Sequence, residues 1–478
     1  MITSTLTIAG LDGGRVRLRP RQLEDLTSRV HAPLLGAGDA GWDEATRIWN
    51  GAISRQPSLV LQPASPGEVV AAVAFARDNG LLLSVKGGGH NIAGTAIAEG
   101  GLMLDMSRMR QVAVDPDAGL VHVGPGCLLK DVDRATQAHG LATVLGYVSE
   151  TGVAGLTLGG GFGYLTRRFG WTVDNLEEVE IVTADGTLRT ANRDEHVDLF
   201  WALRGGGGNF GLVTRFTFRL HRVGPTITGG LILWGAEQAD EVLAAYRDLT
   251  DSAPRELTAT LVVLTAPATP FVPVGWHGKR VIGMLVCHTG RDPGADLAAL
   301  RALGDPVVDL VTEQPYVAQQ SVLDDSPSDA KGLHQYWKAE YLSGLSSAYL
   351  ETFREAALET PTSPLSYAVI FHIGGALNDH GWDDGAVGNR DARFIGGFSG
   401  VWRPGDPADE PMAWVRDGWE RIRPFSTGGN YVNFQLAEDD TARTTAAYGK
   451  NYARLQRVKA KYDPANVFRV NRNIPPAA

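Results

Sequence analysis

A turn of three glycines presents one histidine directly after an apolar run. The run Leu81–Val85 leads through Lys86 into Gly87–Gly89, and His90 and Asn91 follow. Because glycine has no Cβ, backbone N–H groups in such a turn can approach a ligand closely and hold a diphosphate, with His90 presented at the end. A plain glycine-rich loop with an ordinary polar histidine explains this short segment equally well.

Six further segments follow this turn in a fixed order along the chain. They are Leu104–Ser107, Val123–Gly126, Gly152–Gly163, Trp201–Gly211, Tyr431–Phe434 and Tyr462–Phe468. Each segment alone is a weak signal, but the ordered set is specific. From roughly residue 40 to the C-terminus, the chain resembles the berberine-bridge-enzyme-like branch of the FAD-linked oxidases, which have the vanillyl-alcohol-oxidase or PCMH type of flavin-binding fold.

The resemblance implies a bound FAD that is held mainly by glycine-rich loops. Three such loops fall within the first 225 residues, and one extended ligand explains that concentration. The residues that the resemblance implies at the cofactor are Lys86, Gly87, Gly88, Gly89, His90, Asn91, Ser107, Gly152, Gly155, Gly159, Gly160, Gly161, Gly163, Gly208, Asn209, Phe210, Gly211, Asn471 and Asn473.

His90 matches the family position that is joined covalently to the 8α-methyl group of the flavin. A neutral imidazole nitrogen is a competent nucleophile near neutral pH. The alternative is a histidine that only hydrogen-bonds the flavin. Many relatives carry a second link through a cysteine, but the matching position here is Val148, so the resemblance implies a single covalent bond. Cys127 and Cys287 are expected to be buried structural thiols.

Tyr431 and Asn433 match a Tyr-x-Asn element of the family that returns to the flavin. By resemblance, the tyrosine acts as a general base on a substrate O–H or N–H, and the asparagine orients the tyrosine ring or the flavin edge. A free phenol titrates near pH ~10, so this role at neutral pH requires the site to lower the pKa of Tyr431. The alternative is an aromatic strand of the core, because the segment also fits packing with period two.

A polar stretch near residue 340 supplies candidate substrate contacts on a predicted strand. Alternation puts Tyr336, Lys338 and Glu340 on one face and Trp337 on the other. Either face could line a substrate cleft, and a solvated sheet face is the alternative. Further candidates for substrate contact are Tyr147, His372 and Arg390.

One glycine pattern matches a different cofactor and is rejected on its context. Gly206-x-Gly208-x-x-Gly211 has the spacing of the dinucleotide fingerprint, which must follow a strand and open a helix. Here Asp198–Arg204 is predicted to be helical and Leu212–Leu220 to be a strand. The order is therefore reversed, and a nicotinamide site is not expected.

Composition and charge argue against several classes of protein. The chain has 478 residues, of which 44% are hydrophobic and 21% charged, enough for two globular cores. The net charge is −10 and no basic stretch alternates with aromatic residues, which argues against nucleic acid. The first thirty residues lack an apolar segment typical of secretion signals. No run of about 18 apolar residues predicts a membrane helix. We expect a cytoplasmic protein without a metal site.

Local patterns predict the elements that position these residues. Residues 57–105 have the pattern of a β–α–β unit, with Ser65 as the helix N-cap and Glu68 completing a capping box. Two hairpins are predicted, one around Asp115-Pro116-Asp117 and one around Ala184-Asp185-Gly186. An amphipathic helix is predicted at Ala446–Lys461.

Gly224-Pro225 is the predicted domain boundary, because strands and helices alternate differently on its two sides. We predict an α+β fold with an FAD-binding domain at 1–225, whose core covers about 57–225. A separate α+β substrate-binding domain follows at 226–425. The C-terminal segment at 426–478 is expected to pack back on the FAD domain.

The resemblance implies an FAD-dependent oxidoreductase that acts on a small organic molecule. FAD would accept hydride from a carbon that bears OH or NH, and O2 would reoxidise it. One alternative is a dehydrogenase of the same fold with another electron acceptor. The other is an FAD- or ligand-binding protein without redox activity. Sugars, alkaloids, amines and polyketide intermediates all occur as substrates among relatives, and no motif in this chain separates them.

Overall fold

The chain folds as helices on antiparallel and mixed sheets, which confirms the predicted α+β class. The computed structural model describes residues 6–324, 326–328, 330–359 and 363–478. No helix in these ranges is long and apolar enough to cross a membrane.

A four-stranded sheet carries the glycine turn at the end of one strand. Its strands lie in the spatial order Leu34–Leu35, Leu59–Leu61, Leu102–Asp105 and Leu83–Lys86. The last three are parallel, and helix Pro66–Asp78 connects the second to the fourth, which confirms the β–α–β prediction. The turn at 87–89 therefore leaves the carboxyl end of a buried parallel strand.

The start of that helix differs from the prediction in one respect. Ser65 Oγ accepts a hydrogen bond from the Glu68 backbone at 3.4 Å, as an N-cap does. The Glu68 carboxylate, however, accepts from the backbone N–H groups of Ala64 at 2.7 Å and His31 at 2.8 Å. It therefore holds the N-terminal segment against the helix, and the reciprocal bond of a capping box is not made.

A five-stranded antiparallel sheet forms the second layer of this half. Its strands lie in the order Leu188–Asn192, Leu176–Val182, Leu212–Arg219, Leu120–Val123 and Val112–Asp115. Both predicted hairpins are present in it. Helix Val197–Leu203 precedes strand Leu212–Arg219, so the glycine loop between them runs from helix to strand, as predicted.

An eight-stranded antiparallel sheet dominates the middle of the chain. Its strands lie in the order Val308–Asp309, Thr226–Gly235, Arg280–His288, Leu257–Thr265, Tyr367–His372, Phe394–Trp402 and His334–Leu342, with Thr312–Pro315 also paired to Thr226–Gly235. One face packs under the three helices Ala239–Ser252, Ser347–Leu358 and Asp409–Ile422. The other face is turned toward the glycine-rich half of the molecule.

The C-terminal segment returns to the first half of the chain. The predicted helix at 446–461 is interrupted: helix Thr441–Tyr448 ends at Gly449, whose φ is +52°, and a second helix runs over Tyr452–Tyr462. Tyr448, Leu455 and Val458 share a core with the five-stranded sheet. The division into three domains with the bounds given above stays a prediction.

Shorter elements complete the described chain. Two small sheets pair Leu6–Ala9 with Arg15–Leu18 and Leu141–Ala142 with His221–Arg222. The remaining α-helices are Pro20–Arg29, Trp42–Thr46, Leu129–Gln137, Val153–Leu158, Thr166–Phe169, Gly294–Arg301 and Tyr316–Gln320. Single 3₁₀ turns lie at Met106–Arg108, Thr172–Asn175, Ala236–Gln238, Val274–Trp276, Ala376–Asp379, Arg423–Phe425, Val432–Phe434 and Gly449–Asn451.

Candidate active site

A cavity of about 1060 Å³ lies between the glycine-rich half and the eight-stranded sheet. Residues from within 83–92, 146–162 and 207–213 line one side, and strands of the eight-stranded sheet line the other. The C-terminal segment closes the cavity with residues from 431–434 and 468–472. A cavity of this size can hold a large cofactor together with a small molecule.

The glycine turn and the next glycine loop touch backbone to backbone at the cavity wall. A Cβ on Gly88 would collide with the backbone nitrogen of Gly152, and a Cβ on Gly152 would collide with that of Gly88. Gly89 has a φ of +70°, a conformation that other residues rarely adopt. Gly88 and Gly152 are therefore required for the turn to lie against the residue that precedes helix Val153–Leu158.

The wall leaves room and polar atoms for a ligand of the FAD type. Gly155 and Gly208 line the cavity, and a Cβ on either would meet no atom within 4 Å, so it would project into the ligand space. Asn471 also lines the cavity and donates to the Gly208 carbonyl at 3.0 Å. Its buried Oδ1 has no hydrogen-bond partner among the described residues. These residues therefore fit an extended ligand with hydrogen-bond donors.

His90 lies on the cavity wall and is stacked against Trp49. The two ring centroids are 4.5 Å apart with an interplanar angle of 19°, and Trp337 meets Trp49 edge-on at 5.3 Å. Burial lowers the pKa of His90 to about 3, and the positive charge of Lys331 acts in the same direction. The imidazole is therefore neutral at pH 7, which is the form that can attack a carbon centre.

Several residues predicted at the cofactor do not line the cavity. They are Lys86, Ser107, Gly160, Gly161, Gly163, Phe210 and Asn473. Lys86 points behind the glycine turn, where its Nζ donates to the Ala45 carbonyl at 2.6 Å and lies 3.8 Å from Asp105. Ser107 donates to the same carboxylate at 3.0 Å. This cluster packs behind the glycine turn. The prediction that Lys86 and Ser107 contact the ligand directly is therefore corrected: the two side chains support the turn that does.

Gly160 and Gly161 lie against Tyr431 and do not line the cavity themselves. A Cβ on Gly160 would sit 3.7 Å from the Tyr431 ring, and Gly161 donates its N–H to the Tyr431 hydroxyl at 3.1 Å. Phe210 is fully buried in the core below the five-stranded sheet. The remaining predicted glycine-loop residues, including Gly159 and Asn209, line the cavity.

Tyr431 and Asn433 are brought together at the cavity wall. The Tyr431 oxygen accepts a second hydrogen bond from Asn433 Nδ2 at 2.9 Å. Burial raises the pKa of Tyr431 above its ordinary range, and the bonds from Asn433 and Gly161 oppose that rise only in part. The phenol is therefore protonated at neutral pH, which is the opposite of the lowered pKa that we predicted. The segment enters a 3₁₀ turn at Val432–Phe434, so the alternative of a core strand is wrong.

Of the two faces of strand His334–Leu342, the structure presents to the cavity the one that carries Trp337. Trp337 lines the cavity, whereas Tyr336, Lys338 and Glu340 lie on the opposite face. There, Lys338 Nζ lies 3.0 Å from Asp439, and the Glu340 carboxylate accepts from Arg443 at 2.7 Å and from the Trp419 indole at 2.7 Å.

Helix Asp409–Ile422 and the C-terminal segment cover this opposite face, and their charges account for its polar residues. Tyr336 belongs to the same buried network, because its hydroxyl accepts a hydrogen bond from Arg416 at 2.8 Å. The prediction that Tyr336, Lys338 and Glu340 contact substrate is therefore corrected.

Of the other substrate candidates, only Tyr147 lines the cavity. Its hydroxyl accepts from Thr260 Oγ1 at 3.2 Å, and burial raises its pKa above the usual range. His372 faces away from the cavity and stacks on Phe394 at 5.1 Å, while burial lowers its pKa well below 6.5. Arg390 makes two 2.7 Å bonds to the buried carboxylate of Asp174 and is likewise outside the cavity. The predictions that His372 and Arg390 contact substrate are therefore corrected.

The position at which many relatives carry a second, flavin-linked cysteine faces the ligand space. Val148 lines the cavity, and no cysteine does so among the described residues. Cys127 and Cys287 are buried elsewhere, and burial raises the pKa of each thiol to about 12. Neither is a thiolate at neutral pH, in agreement with the structural role predicted for them.

Sequence reasoning missed aromatic residues that shape the cavity. Phe162 packs edge-on against Tyr431 at 5.0 Å, and Trp49 stacks with His90. Tyr367 and Phe371 also line the cavity. The period of two along strand Tyr367–His372 could have identified the last pair, since it puts them on one face together. No spacing pattern marks Trp49.

Two family models match separate parts of the chain. A model described as the FAD binding domain matches residues 57–192, and one described as berberine and berberine like matches residues 430–475. The chain is 30% identical to an FAD-linked oxidoreductase of Dictyostelium discoideum, over 90% of this chain and 91% of that protein. It is also 30% identical to (R)-6-hydroxynicotine oxidase of Paenarthrobacter nicotinovorans, over 94% of this chain and 99% of that protein.

The same likeness holds in three dimensions. The crystal structure of 6-hydroxy-D-nicotine oxidase from Arthrobacter nicotinovorans matches with a TM-score of 0.82 at 26% identity, covering 94% of this chain and 98% of that one. The predicted PCMH-type fold is thus confirmed, and the protein is an FAD-linked enzyme. Because the likeness to these oxidoreductases extends over nearly the whole length, the chain belongs to the berberine-bridge-enzyme-like family of FAD-linked oxidases.

Proposed function

We propose that this enzyme oxidises a C–OH or C–NH carbon of a small organic molecule, with O2 as the final electron acceptor. The observation that carries the proposal is a single cavity in which the glycine turn, His90, Tyr431 and Asn433 face one ligand space. Bound FAD supplies a hydride acceptor. The substrate loses a hydride from carbon and a proton from oxygen or nitrogen, and a C=O or C=N bond forms. O2 takes up the two electrons and two protons as H2O2.

We assign His90 as the covalent attachment residue. The neutral imidazole supplies a free electron pair for bonding to carbon, and the Trp49 stack fixes the plane of the ring. Val148 offers no second nucleophile at the cavity wall. One covalent bond is therefore the expected state of the cofactor, and a histidine that only hydrogen-bonds the flavin is the alternative.

We assign Tyr431 as the group that takes the substrate proton. Its oxygen is fixed by hydrogen bonds from Gly161 N–H and Asn433 Nδ2, both of which stabilise negative charge on it. Since burial keeps most of the phenol protonated, only the small ionised fraction acts as base at neutral pH. The activity should then rise with pH.

Purified enzyme tests this function directly. It should be yellow, and anaerobic addition of an oxidisable substrate should bleach the flavin band. Readmitted air should restore the band quickly and produce H2O2. A reduced flavin that persists in air would instead favour the dehydrogenase, and a flavin that no substrate in a broad panel bleaches would favour a binding protein without redox activity.

A further inference from the structure

Several strands of the eight-stranded sheet present alternate side chains to a core and to the cavity. Ile232, Val263 and Ile370 point into the core beneath the helices. Their neighbours in sequence point the other way, as strand alternation requires. The side chains that these strands present to the cavity include Leu231, Leu233, Val262, Leu264, Val369 and Phe371.

The sheet face over the cavity carries no charged side chain on the strands that form it, and the charged residues that line the cavity elsewhere in the described chain, Arg403 and Arg472, are both cationic. Every strand concerned lies fully within the described residues, and the lining positions on Thr226–Gly235, Leu257–Thr265, Arg280–His288, His334–Leu342 and Tyr367–His372 are all uncharged. A protonated amine against this face would lose water without gaining a counter-charge, which is strongly unfavourable.

Most polar side chains on that side are already bonded within the protein, although the Thr269 hydroxyl has no partner among the described residues. Thr260 donates to the Tyr147 hydroxyl, and Thr265 accepts from Arg280 at 3.4 Å. Gln314 donates to Gln319 at 2.8 Å. An oligosaccharide would bring many hydroxyl groups to a face with few free partners, and each unsatisfied group weakens binding.

The apolar lining continues outward to the cavity mouth. Phe271 and Leu310 are each 43% exposed and Val322 is 39% exposed, and all three line the cavity. Single exposed apolar residues are common on proteins, but these three also line the cavity and so extend its apolar surface to the solvent.

From this face, we infer that the substrate is a mostly apolar alcohol without a positive charge, with the reacting hydroxyl as its main polar group against the sheet. The inference rests on the proposed oxidation and narrows its substrate class. The apolar body would lie against the sheet, and the carbinol would lie beside Tyr431 on the opposite wall. Amine cations and oligosaccharides should bind poorly.

The test measures binding to FAD-loaded enzyme, and its two biphenyl probes cannot react. The probes are 2-(biphenyl-4-yl)propan-2-ol, the corresponding amine and cellobiose, and binding is followed by the shift of the flavin absorbance band. The two biphenyl carbons bear no hydrogen, so neither can deliver a hydride. We expect the alcohol to bind at least about tenfold more tightly than the amine at pH 7, and cellobiose to bind more weakly than the alcohol. Equal or tighter binding of the amine or of cellobiose would overturn the inference.

Val262 provides a matched pair of variants. Val262→Asp should reverse the preference between alcohol and amine, whereas the neutral Val262→Asn should leave the alcohol preferred. If the ratio of the dissociation constants for alcohol and amine were the same in the two variants, it would contradict contact between the sheet face and the ligand. If either variant fails to fold, the ratio of the two dissociation constants in the wild-type enzyme alone tests the inference. Absence of any flavin reduction by oxidisable alcohols would count against the proposed function, and the binding ratios would still test the substrate class separately.

Discussion

At the scale of single residues, burial acts on the two central side chains in opposite ways. It lowers the pKa of His90 to about 3 and so keeps the imidazole neutral. It raises the pKa of Tyr431 and so keeps the phenol protonated. The first effect favours a nucleophile at all physiological pH values, and the second makes proton removal the pH-dependent step.

His90→Ala should release the flavin from the polypeptide. Wild-type flavin should stay with the protein pellet after acid precipitation, because a covalent bond survives denaturation. In the variant, any bound FAD should appear in the supernatant. Peptide mapping should place the single adduct on the fragment that contains His90. Wild-type flavin found wholly in the supernatant would refute the covalent assignment, and an adduct on Cys127 would refute the assignment of Val148 to the second position.

Tyr431→Phe removes one hydroxyl and keeps the ring that packs on Phe162. General-base assistance typically contributes about 10²–10⁴-fold, so anaerobic flavin reduction should slow by at least tenfold, with substrate affinity changed much less. Because burial holds the pKa of Tyr431 above its usual range, the wild-type rate should rise with pH across neutrality. The rate of flavin reduction in the variant should no longer rise with pH. An unchanged rate and slope in a fully flavinylated variant would remove Tyr431 from the mechanism.

At the scale of elements, local signals were predictable and the choice of face was not. The glycine turn, both hairpins and the β–α–β unit depend on residues close in sequence, and all are present. The face of strand His334–Leu342 that meets the cavity depends on what covers the other face. The Trp419 indole of helix Asp409–Ile422 and the Arg443 guanidinium bind Glu340 there, and both residues lie far along the chain. Similarly, the break at Gly449 was missed because a single glycine is tolerated inside many helices.

Asp133 couples helix Leu129–Gln137 to helix Tyr316–Gln320 and should make stability depend on pH. Its carboxyl accepts from Gln320 at 3.0 Å, and burial raises its pKa to about 7. Between about pH 4 and 7 the unfolded state loses this proton while the folded state keeps it, so the side chain makes stability fall with rising pH, by at most about 1.4 kcal/mol per unit.

Asp133→Asn should remove that dependence. The stability of the variant relative to wild type should therefore increase from pH 4 to pH 7, measured by urea unfolding at several pH values. A relative stability that is constant across this range would show that Asp133 keeps an ordinary pKa in the folded protein.

Lys459 joins the last helix to the glycine loop that lines the cavity. Its Nζ donates to the carbonyls of Asn209 at 2.6 Å and Phe468 at 2.9 Å, and it pairs with Asp463 at 2.6 Å, with both side chains fully buried. Lys459→Met would leave the buried carboxylate unpaired and should destabilise the protein by about 3–5 kcal/mol.

Lys461→Met is the matched control, since Lys461 pairs with Asp198 at the surface and the loss should be about 0–1 kcal/mol. The urea midpoints of the two FAD-loaded variants provide the comparison. Equal midpoints would show that Lys459 does not secure the C-terminal segment.

At the scale of the whole molecule, the active site is shared by parts of the chain that lie far apart in sequence. The turn at 87–91, the eight-stranded sheet and residues 431–434 meet around one cavity. The family and its cofactor were predictable, because the glycine loops and the Tyr-x-Asn element are short motifs. The cavity lining was not, because it depends on how the sheet is placed over those motifs, which no local pattern encodes.

The most direct measurement is an anaerobic reduction followed by reoxidation in air, on the wild-type enzyme with a panel of small apolar alcohols. We predict that at least one alcohol bleaches the flavin band, that air restores the band, and that one H2O2 forms per flavin reoxidised. The bleached enzyme should keep its flavin through acid precipitation. A flavin that no alcohol, amine or sugar reduces, although dithionite does, would contradict the proposed oxidase activity.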